Sequence, residues 1–154
     1  MRIGFGNDIH KLQEGRPLYI GGLPIPHTKG SIAHSDGDVL LHALIDAILG
    51  ALALGDIGAF FPPDDDKYKD ADSRSLLEYV LENTDPKFIN IDSTITLEGF
   101  KLQPYIYKIR KYVAELCSIG IEQVSIKAKT NEGLGEIGKG NAIKAEVVVL
   151  LESK

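Results

Sequence analysis

The residues best suited to binding a metal ion lie near the N-terminus and in the first long apolar segment. Asp8 and His10 are two residues apart, a spacing that places both side chains on the same face of a β-strand. His42 lies in an apolar segment with the composition of a buried helix. A carboxylate and two imidazoles are common zinc ligands, and three protein ligands leave one coordination position open. The sequence therefore predicts a catalytic zinc site at Asp8, His10 and His42.

Two aspartates accompany His42 in this segment. Asp38, His42 and Asp46 are four residues apart, whereas residues 39–54 are otherwise almost all apolar. On a helix this spacing forms one narrow polar stripe, and a buried carboxylate without a partner is costly. A hydrogen-bonded core histidine is the alternative interpretation of His42, but the stripe favours a metal or phosphate site. We further hypothesise that Asp46 orients one of the zinc ligands.

A helix-start signal precedes the same segment. Residues 35–38 contain Ser and Asp at capping positions, with Gly37 easing the turn. His34 and Ser35 are therefore expected beside the free amides of a helix N-terminus, where phosphate binds readily. A cap without any ligand is the alternative.

The remaining pattern predicts the elements that position these side chains. Apolar alternation and apolar runs predict strands at residues 2–10, 88–97, 124–129 and 142–151 and a hairpin at 17–26, and helical periodicity predicts helices at 39–54, 74–82 and 104–116. Gly4 and Gly6 in the first strand permit close backbone approach. The expected fold is an α/β (α+β) two-layer sandwich, with a four- to five-stranded mixed sheet and helices on one face. At 154 residues the chain suits a single domain, residues 1–154.

Two loop motifs lack residues that their familiar functions require. Residues 133–139 spell GxxxxGK, but Gly140 replaces the Ser or Thr of a nucleotide-binding phosphate loop, and a strand follows. Its glycine amides are still able to hold a phosphate. Residues 64–66 are three aspartates without the Gly and Glu of a calcium loop. They indicate a solvated loop, which is also what a substrate lid requires.

Composition excludes several classes of function. The net charge of −5 argues against non-specific binding to nucleic acid or to an anionic membrane. No apolar run approaches the ~20 residues that span a bilayer. Cys117 is the single cysteine, and its apolar neighbours favour a buried, inert thiol over a fourth zinc ligand. A reducing compartment is expected: the cytoplasm, or a plastid stroma if a transit peptide has been removed.

Five motifs resemble those of one enzyme family. They are Gly4-x-Gly6-x-Asp8-x-His10, His34-Ser35-Asp36-Gly37-Asp38-x-x-x-His42, Leu54-Gly55-Asp56-Ile57-Gly58 with Phe61-Pro62, Asp72-Ser73, and Lys127-Ala128-x-Thr130-x-Glu132. In order and spacing, and over essentially the whole chain, this set is similar to that of the 2-C-methyl-D-erythritol 2,4-cyclodiphosphate synthases of the non-mevalonate isoprenoid pathway. These enzymes convert 4-diphosphocytidyl-2-C-methyl-D-erythritol 2-phosphate into the cyclic diphosphate and release CMP.

The resemblance implies a role for each site residue. Asp8, His10 and His42 would hold zinc, and Glu132 would hold a second divalent ion, magnesium or manganese, between the two phosphates. His34 and Thr130 would stabilise the transition state. The implied substrate contacts are Asp8, His10, His34, Ser35, Asp56, Ile57, Gly58, Phe61, Asp64, Asp65, Leu97, Glu98, Gly99, Phe100, Lys101, Leu102, Gln103, Lys129, Thr130, Asn131, Glu132, Glu136 and Lys139.

The resemblance also implies a homotrimer whose active sites lie between subunits. Residues 97–103 and 129–132 of a neighbouring chain would then grip the cytidine and the diphosphate. Four positions depart from the family's usual residues: Pro63 replaces Asp, Lys129 replaces Thr, Glu136 replaces an apolar residue, and Lys139 replaces Arg. Lys129 adds positive charge near the expected phosphates, whereas Lys139 cannot reproduce the fork of an arginine. Contacts of the 136–139 loop with substrate, or with an isoprenoid in a central trimer cavity, are left open.

Two other functions remain as alternatives to the synthase function. A zinc-dependent phosphohydrolase of a nucleotide-linked substrate would use water as the nucleophile and release free phosphate. A non-catalytic trimeric binding protein would use zinc structurally. Product analysis distinguishes the phosphohydrolase from the synthase, because only the synthase forms a cyclic diphosphate. Zinc removal distinguishes the binding protein, because loss of a structural zinc unfolds or dissociates the protein, whereas loss of a catalytic zinc mainly abolishes activity.

Overall fold

The computed structural model describes residues 1–62 and 64–153. The strands are β1 (Arg2–Glu14), β2 (Leu18–Ile20), β3 (Leu23–Ile25), β4 (Lys29–Ile32), β5 (Phe88–Thr96), β6 (Val124–Lys129) and β7 (Ala142–Leu151). The helices are α1 (Val39–Leu52), α2 (Ile57–Phe60), α3 (Ser73–Thr84), α4 (Ile106–Leu116) and α5 (Gly135–Gly138). Short 3₁₀ turns occur at Asp66–Tyr68, Gln103–Tyr105 and Ile121–Gln123.

Five of the strands form one mixed sheet. Their order is β4-β1-β7-β5-β6, and β2 and β3 form a separate hairpin. Strands β5 and β6 are parallel, whereas the other neighbours in the sheet are antiparallel. Helices α1 and α4 pack on the face that carries the buried side chains of β5, β6 and β7. The predicted α+β sandwich, with a mixed sheet and helices on one face, is confirmed.

Gly4 and Gly6 allow α1 to lie directly on β1. A Cβ atom would stand 1.9 Å from a carbonyl oxygen of α1 at Gly4, and 2.0 Å from another at Gly6. Two strand residues and four helix residues cover nearly the same distance, about 6–7 Å. The next side chain on this face, Asp8, therefore reaches the level of residues 39–43, where His42 lies. The glycine spacing thus sets the position of the predicted zinc ligands.

Helix α1 is capped at both ends. Asp38 is the N-cap, and its carboxylate accepts a hydrogen bond from a first-turn N–H, which confirms the predicted start. The predicted end at Gly55 is wrong. The helix ends at Leu52 because Ala53 adopts a left-handed conformation with φ 60°, and its N–H bonds back to the last turn.

Other boundaries also differ from the predicted ones. Strand β1 continues past His10 to Glu14 because its second half pairs with β4, a short strand that the sequence did not signal. Helix α2 lies where no element was predicted, the turn at Asp66–Tyr68 begins at the end of the predicted loop, and α5 lies within the glycine-rich loop. The predicted strands at 124–129 and 142–151 are confirmed. Within the described residues, no helix combines the length and apolar composition that crossing a bilayer requires.

Candidate metal centre

Asp8, His10 and His42 come together at the junction of β1 and α1. Asp8 Oδ2 lies 2.7 Å from His10 Nε2 and 3.1 Å from His42 Nδ1. The two imidazole nitrogens lie 3.1 Å apart. All three potential ligand atoms are within 4.8 Å of one another. The cluster predicted from the sequence is confirmed.

The potential ligand atoms of this cluster suit a divalent cation in type and spacing. A tetrahedral zinc ion with bonds of ~2.0–2.1 Å would separate its ligand atoms by about 3.3 Å. The cluster would need to widen by only about half an ångström to accept such an ion. Three acceptor atoms that converge on one point also need a proton or a cation between them.

Electrostatics within the cluster favour positive charge. Burial raises the pKa of Asp8, but its hydrogen bonds to His10 and His42 outweigh burial and hold that pKa at about 2. Burial lowers the pKa of His42, but the hydrogen bond and charge of Asp8 raise it above its usual value. The Asp8 carboxylate thus favours a positive charge on the neighbouring imidazole, and a metal ion that binds here would compete with that proton.

The second ring nitrogen of His42 has hydroxyl partners. His42 Nε2 lies 2.9 Å from Ser73 Oγ and 3.1 Å from Ser35 Oγ. Ser73 is fully buried, and its backbone N–H donates to Asp36 at 2.9 Å. The Ser73 hydroxyl donates to the same carboxylate. Sequence reasoning missed these roles of Asp36 and Ser73, and the only signal for them was their place in the quoted motifs.

The two aspartates of the predicted stripe have other partners. Asp38 is fully buried and accepts hydrogen bonds from the N–H groups of Gly21, at 2.9 Å, and Gly22, at 2.6 Å. It therefore fastens the β2–β3 turn to α1, and burial raises its pKa. Asp46 accepts a hydrogen bond from the Ile57 N–H at 2.7 Å, so it positions the start of α2. The contacts of Asp46 do not support the hypothesis that it orients a zinc ligand.

A cavity of about 310 Å³ opens beside the metal cluster. Its lining combines the cluster with five residues predicted to contact substrate, namely His34, Ser35, Ile57, Gly58 and Phe61. Phe61 is buried and packs edge-on against Tyr68 and Tyr79, so it forms a fixed apolar wall. The structure thus brings the zinc ligands and these five predicted substrate contacts to one place.

Three predicted contacts on the following loop lie outside this lining. Asp56 and Asp65 are exposed and cap α2 and the turn at Asp66–Tyr68. Asp64 is also exposed. Pro63, one of the departures from the family pattern, lies outside the described residues.

A second group of predicted contacts, residues 97–103 and 129–132, lies where β5 and β6 end. Thr96 is paired with Lys129 in this parallel pair, so residues 97–103 and 130–133 leave the sheet at the same edge. A row of paired residues continues from Thr96 to Lys144 and from Lys144 to Ile9. Residues 97–103 therefore begin two strands from the zinc ligands, about 10 Å, and residues 130–133 begin three strands away, about 14 Å.

Glu98 holds the loop that carries Glu132. Its Oε2 accepts hydrogen bonds from the N–H groups of Asn131, at 2.9 Å, and Gly133, at 3.5 Å. Glu132 is exposed and has a left-handed φ of 52°. The Thr130 hydroxyl donates to the Glu132 carboxylate at 3.2 Å. The loop thus presents a carboxylate and a hydroxyl to solvent in a fixed arrangement.

Known proteins are similar to this sequence over nearly its full length. The model of the YgbB family matches residues 1–152. A 2-C-methyl-D-erythritol 2,4-cyclodiphosphate synthase of Fusobacterium nucleatum is 50% identical over 157 residues, which cover 100% of this chain and 98% of that relative. The chain belongs to the YgbB family. The family resemblance inferred from the motifs is thereby confirmed, and its named relatives are enzymes.

Solved structures of YgbB relatives share the fold. A 2C-methyl-D-erythritol-2,4-cyclodiphosphate synthase structure matches with a TM-score of 0.90 at 40% identity, covering 98% of this chain and 100% of that one. A structure of such a synthase described as its CDP-bound form matches with a TM-score of 0.89 at 38% identity and the same coverage.

Glu136 and Lys139, two of the positions singled out in the sequence, pair with each other. The Lys139 ammonium lies 2.6 Å from a Glu136 carboxylate oxygen, and Asn141 donates to the other oxygen at 3.0 Å. The Lys139 hydrogen bond, followed by that of Asn141, lowers the pKa of Glu136. The positive charge at Lys139 is therefore already partnered within its own loop. Substrate contact by either residue stays a prediction.

Cys117 lies apart from the metal cluster, at the C-cap of α4. Its thiol is buried, and burial raises its pKa to about 12. We expect iodoacetamide to alkylate the folded protein at pH 8 about a thousandfold more slowly than the unfolded chain. The reason is that the thiolate is the reactive form, and the rise from 9.0 to about 12 depletes it about a thousandfold. Mass spectrometry of timed samples, with urea-unfolded protein as the control, measures the ratio, and equal rates would contradict it.

Proposed function

We propose that this protein cyclises 4-diphosphocytidyl-2-C-methyl-D-erythritol 2-phosphate to 2-C-methyl-D-erythritol 2,4-cyclodiphosphate and releases CMP, acting as one domain over residues 1–154. The observation that carries the proposal is the convergence of Asp8, His10 and His42 beside a cavity that His34 and Ser35 also line. Membership of the YgbB family and the names of its relatives support this assignment.

The first group of residues holds the reacting phosphates. Asp8, His10 and His42 are the proposed zinc ligands, because they supply one carboxylate and two imidazoles and leave one corner free. His34 and Ser35 lie in the same lining, where a hydroxyl and an imidazole donate to phosphate oxygens. Ile57, Gly58 and Phe61 form the wall that excludes water from the sugar chain.

The chemistry needs positioning more than acid–base catalysis. An oxygen of the 2-phosphate attacks the nearer phosphorus of the diphosphate, the bond from that phosphorus to the bridging oxygen breaks, and CMP leaves with that oxygen. The attacking phosphate is already ionised at neutral pH, so no general base is required. The barrier is the approach of one anion to another, and two bound divalent cations would neutralise this charge and polarise the phosphorus.

The second group of residues is proposed to contact the diphosphate and the cytidine of a substrate that is bound at the zinc site of a neighbouring subunit. Glu132 offers a carboxylate for the second divalent ion, magnesium or manganese, and Thr130 offers a hydroxyl to the phosphates. Residues 97–103 would hold the cytidine. Lys129, which is exposed at the end of β6, adds a positive charge beside them. The resemblance implies that the two groups meet across adjacent subunits, and their separation within one chain of two to three strands, about 10–14 Å, supports this assignment.

The proposed assembly is a homotrimer. Alternation along β1 turns Ile3, Phe5 and Ile9 away from α1, and they are 72%, 57% and 55% exposed. Phe5 and Ile3 are paired with Val148 and Leu150, which extends the apolar surface onto β7. Apolar patches of this kind on soluble proteins usually mark an interface.

Replacing Phe5 by Asp is expected to dissociate this assembly. The wild-type mass in sedimentation should be three times 16.8 kDa, and the variant should fall toward the monomer mass because a carboxylate would be buried in the interface. Tyr107→Asp, at an exposed aromatic residue of α4, is the matched control and should keep the wild-type mass. A monomeric wild-type protein would contradict the assembly.

Product analysis tests the proposed function. The zinc- and magnesium-supplemented protein is incubated with the diphosphocytidyl substrate and followed by phosphorus NMR. We expect the cyclic diphosphate and CMP in equal amounts. Free phosphate in place of the cyclic product would indicate the phosphohydrolase instead. We place the activity in the cytoplasm, because the named relatives include bacterial enzymes and a chain with a single cysteine suits a reducing compartment.

A further inference from the structure

His42 meets two different environments at its two ring nitrogens. Nδ1 faces Asp8 and His10 at 3.1 Å, whereas Nε2 faces Ser73 Oγ at 2.9 Å. Ser73 is the first residue of α3 and is fully buried. A fully buried serine beside a metal-ligating imidazole has few ways to satisfy its hydroxyl, so its hydrogen bonds can be assigned.

Asp36 determines the direction of those hydrogen bonds. Its carboxylate accepts the Ser73 N–H at 2.9 Å, the Asp38 N–H at 3.0 Å and the Ser73 hydroxyl hydrogen. An ionised carboxylate only accepts, so the Ser73 hydroxyl must donate to it. The lone pairs of Ser73 Oγ are then left to accept, and the group opposite them is His42 Nε2. That nitrogen must therefore carry the ring proton.

We propose that Asp36 and Ser73 are positioning residues that keep the ring proton of His42 on Nε2 and so reserve the Nδ1 lone pair for the metal ion. This inference rests on the proposed zinc site. In the opposite tautomer, an N–H would point between Asp8 and His10 and would close the site to a cation. Ser35, at 3.1 Å from the same nitrogen, adds a second acceptor on that side but does not contact Asp36 through its hydroxyl in the described hydrogen bonds.

The arrangement also couples the zinc site to α3. The Asp36 carboxylate accepts hydrogen bonds from both the backbone and the side chain of Ser73, so it ties the start of α3 to the segment before α1 beside His42. Partners of this kind, which hold a metal-ligating histidine through its other nitrogen, typically contribute 10–100-fold to metal affinity.

The first test uses the wild-type protein loaded with zinc. Proton–nitrogen NMR of protein with ¹⁵N-labelled histidine identifies which ring nitrogen of His42 carries the proton. We expect the proton on Nε2 and the metal on Nδ1. A proton on Nδ1, with zinc on Nε2, would overturn the proposal without any variant having to fold.

The second test is Ser73→Ala, measured as zinc affinity in competition with a chelator. We expect about 10–100-fold weaker zinc binding, and Ser73→Thr, which keeps the hydroxyl, should recover most of it. Ser93→Ala is the matched control, because Ser93 is also buried and its hydroxyl donates to a backbone carbonyl on another part of the sheet. Thermal unfolding of the metal-free variants identifies any general loss of stability.

The outcomes separate this inference from the proposed function. Tight zinc binding by wild type and equally tight binding by Ser73→Ala would overturn the role of Ser73 and leave the proposed metal site intact. Absence of zinc binding by wild type would contradict the proposed metal site itself. An equal loss in Ser73→Ala and Ser93→Ala would show that the effect is structural and would also overturn the proposal.

Discussion

Replacing Glu132 by Gln is expected to lower the rate of CMP release by about a hundredfold or more while zinc binding and folding are unchanged. Glutamine keeps the size and one acceptor oxygen of the side chain but removes the negative charge that a divalent ion needs. A bound cation contributes several kcal/mol to stabilising a phosphoryl transition state, and about 1.4 kcal/mol corresponds to a tenfold change in rate. Steady-state CMP release measures the effect.

Two further measurements make the Glu132 result specific. Manganese bound in the presence of CDP, detected by electron paramagnetic resonance, should disappear in Glu132→Gln and remain in the wild-type protein. Glu82→Gln, at an exposed position on α3, is the control and should match wild type in both assays. Unaltered turnover of Glu132→Gln would remove the proposed role of this carboxylate.

Replacing Asp8 by Asn is expected to weaken zinc binding by at least about a hundredfold and to reduce turnover at limiting zinc in proportion. The Asp8 carboxylate is the only anion within 3.1 Å of both imidazole nitrogens of the cluster among the described residues. Losing a ligand should weaken zinc binding by more than the 10–100-fold that is typical of losing a group that only hydrogen-bonds to a ligand. Zinc content after dialysis, determined by elemental analysis, measures the change.

Excess zinc should restore part of the turnover of Asp8→Asn, because the two histidines remain. Asp92→Asn is the control for removing a carboxylate, since Asp92 pairs with Lys127 on the surface at 2.6 Å. Full zinc occupancy in Asp8→Asn would contradict the assigned ligand set. Unfolding of the wild-type protein on chelation, without a separate loss of activity, would favour a structural zinc.

Periodicity was sufficient to predict the part of the site that depends on one strand and one helix. Asp8 and His10 share a strand face with Gly4 and Gly6, and the glycines seat α1 at the height that brings His42 to them. Each of these features has a local sequence signal, because alternation and helical spacing are local properties. The sheet and its layer of helices were predictable for the same reason.

Features that depend on contacts between distant segments were not predictable. The bonds from Asp36 and His42 to Ser73 join the segment before α1 to the first turn of α3, and the sequence indicated only a helix cap at that place. Asp46 shared a stripe with His42, but its partner is the Ile57 amide, which lies after the helix has ended. Spacing shows which face of a helix a side chain occupies, but it does not show which loop returns to that face.

The roles assigned to residues 97–103 and 129–132 depend on another subunit. The structure shows that Glu98 fastens the Glu132 loop and that this loop lies about 14 Å across the sheet from the zinc ligands. Family resemblance supplied those roles, since no periodic pattern links two surfaces that meet only in an assembly. They stay predictions until the assembly is observed.

The most direct measurement is anomalous diffraction at the zinc absorption edge, from crystals grown with zinc and CDP. The account predicts one strong peak per subunit, within bonding distance of Asp8 Oδ2, His10 Nε2 and His42 Nδ1, with a diphosphate oxygen at the fourth position. A peak elsewhere, or these three side chains directed away from one another with zinc in excess, would contradict it.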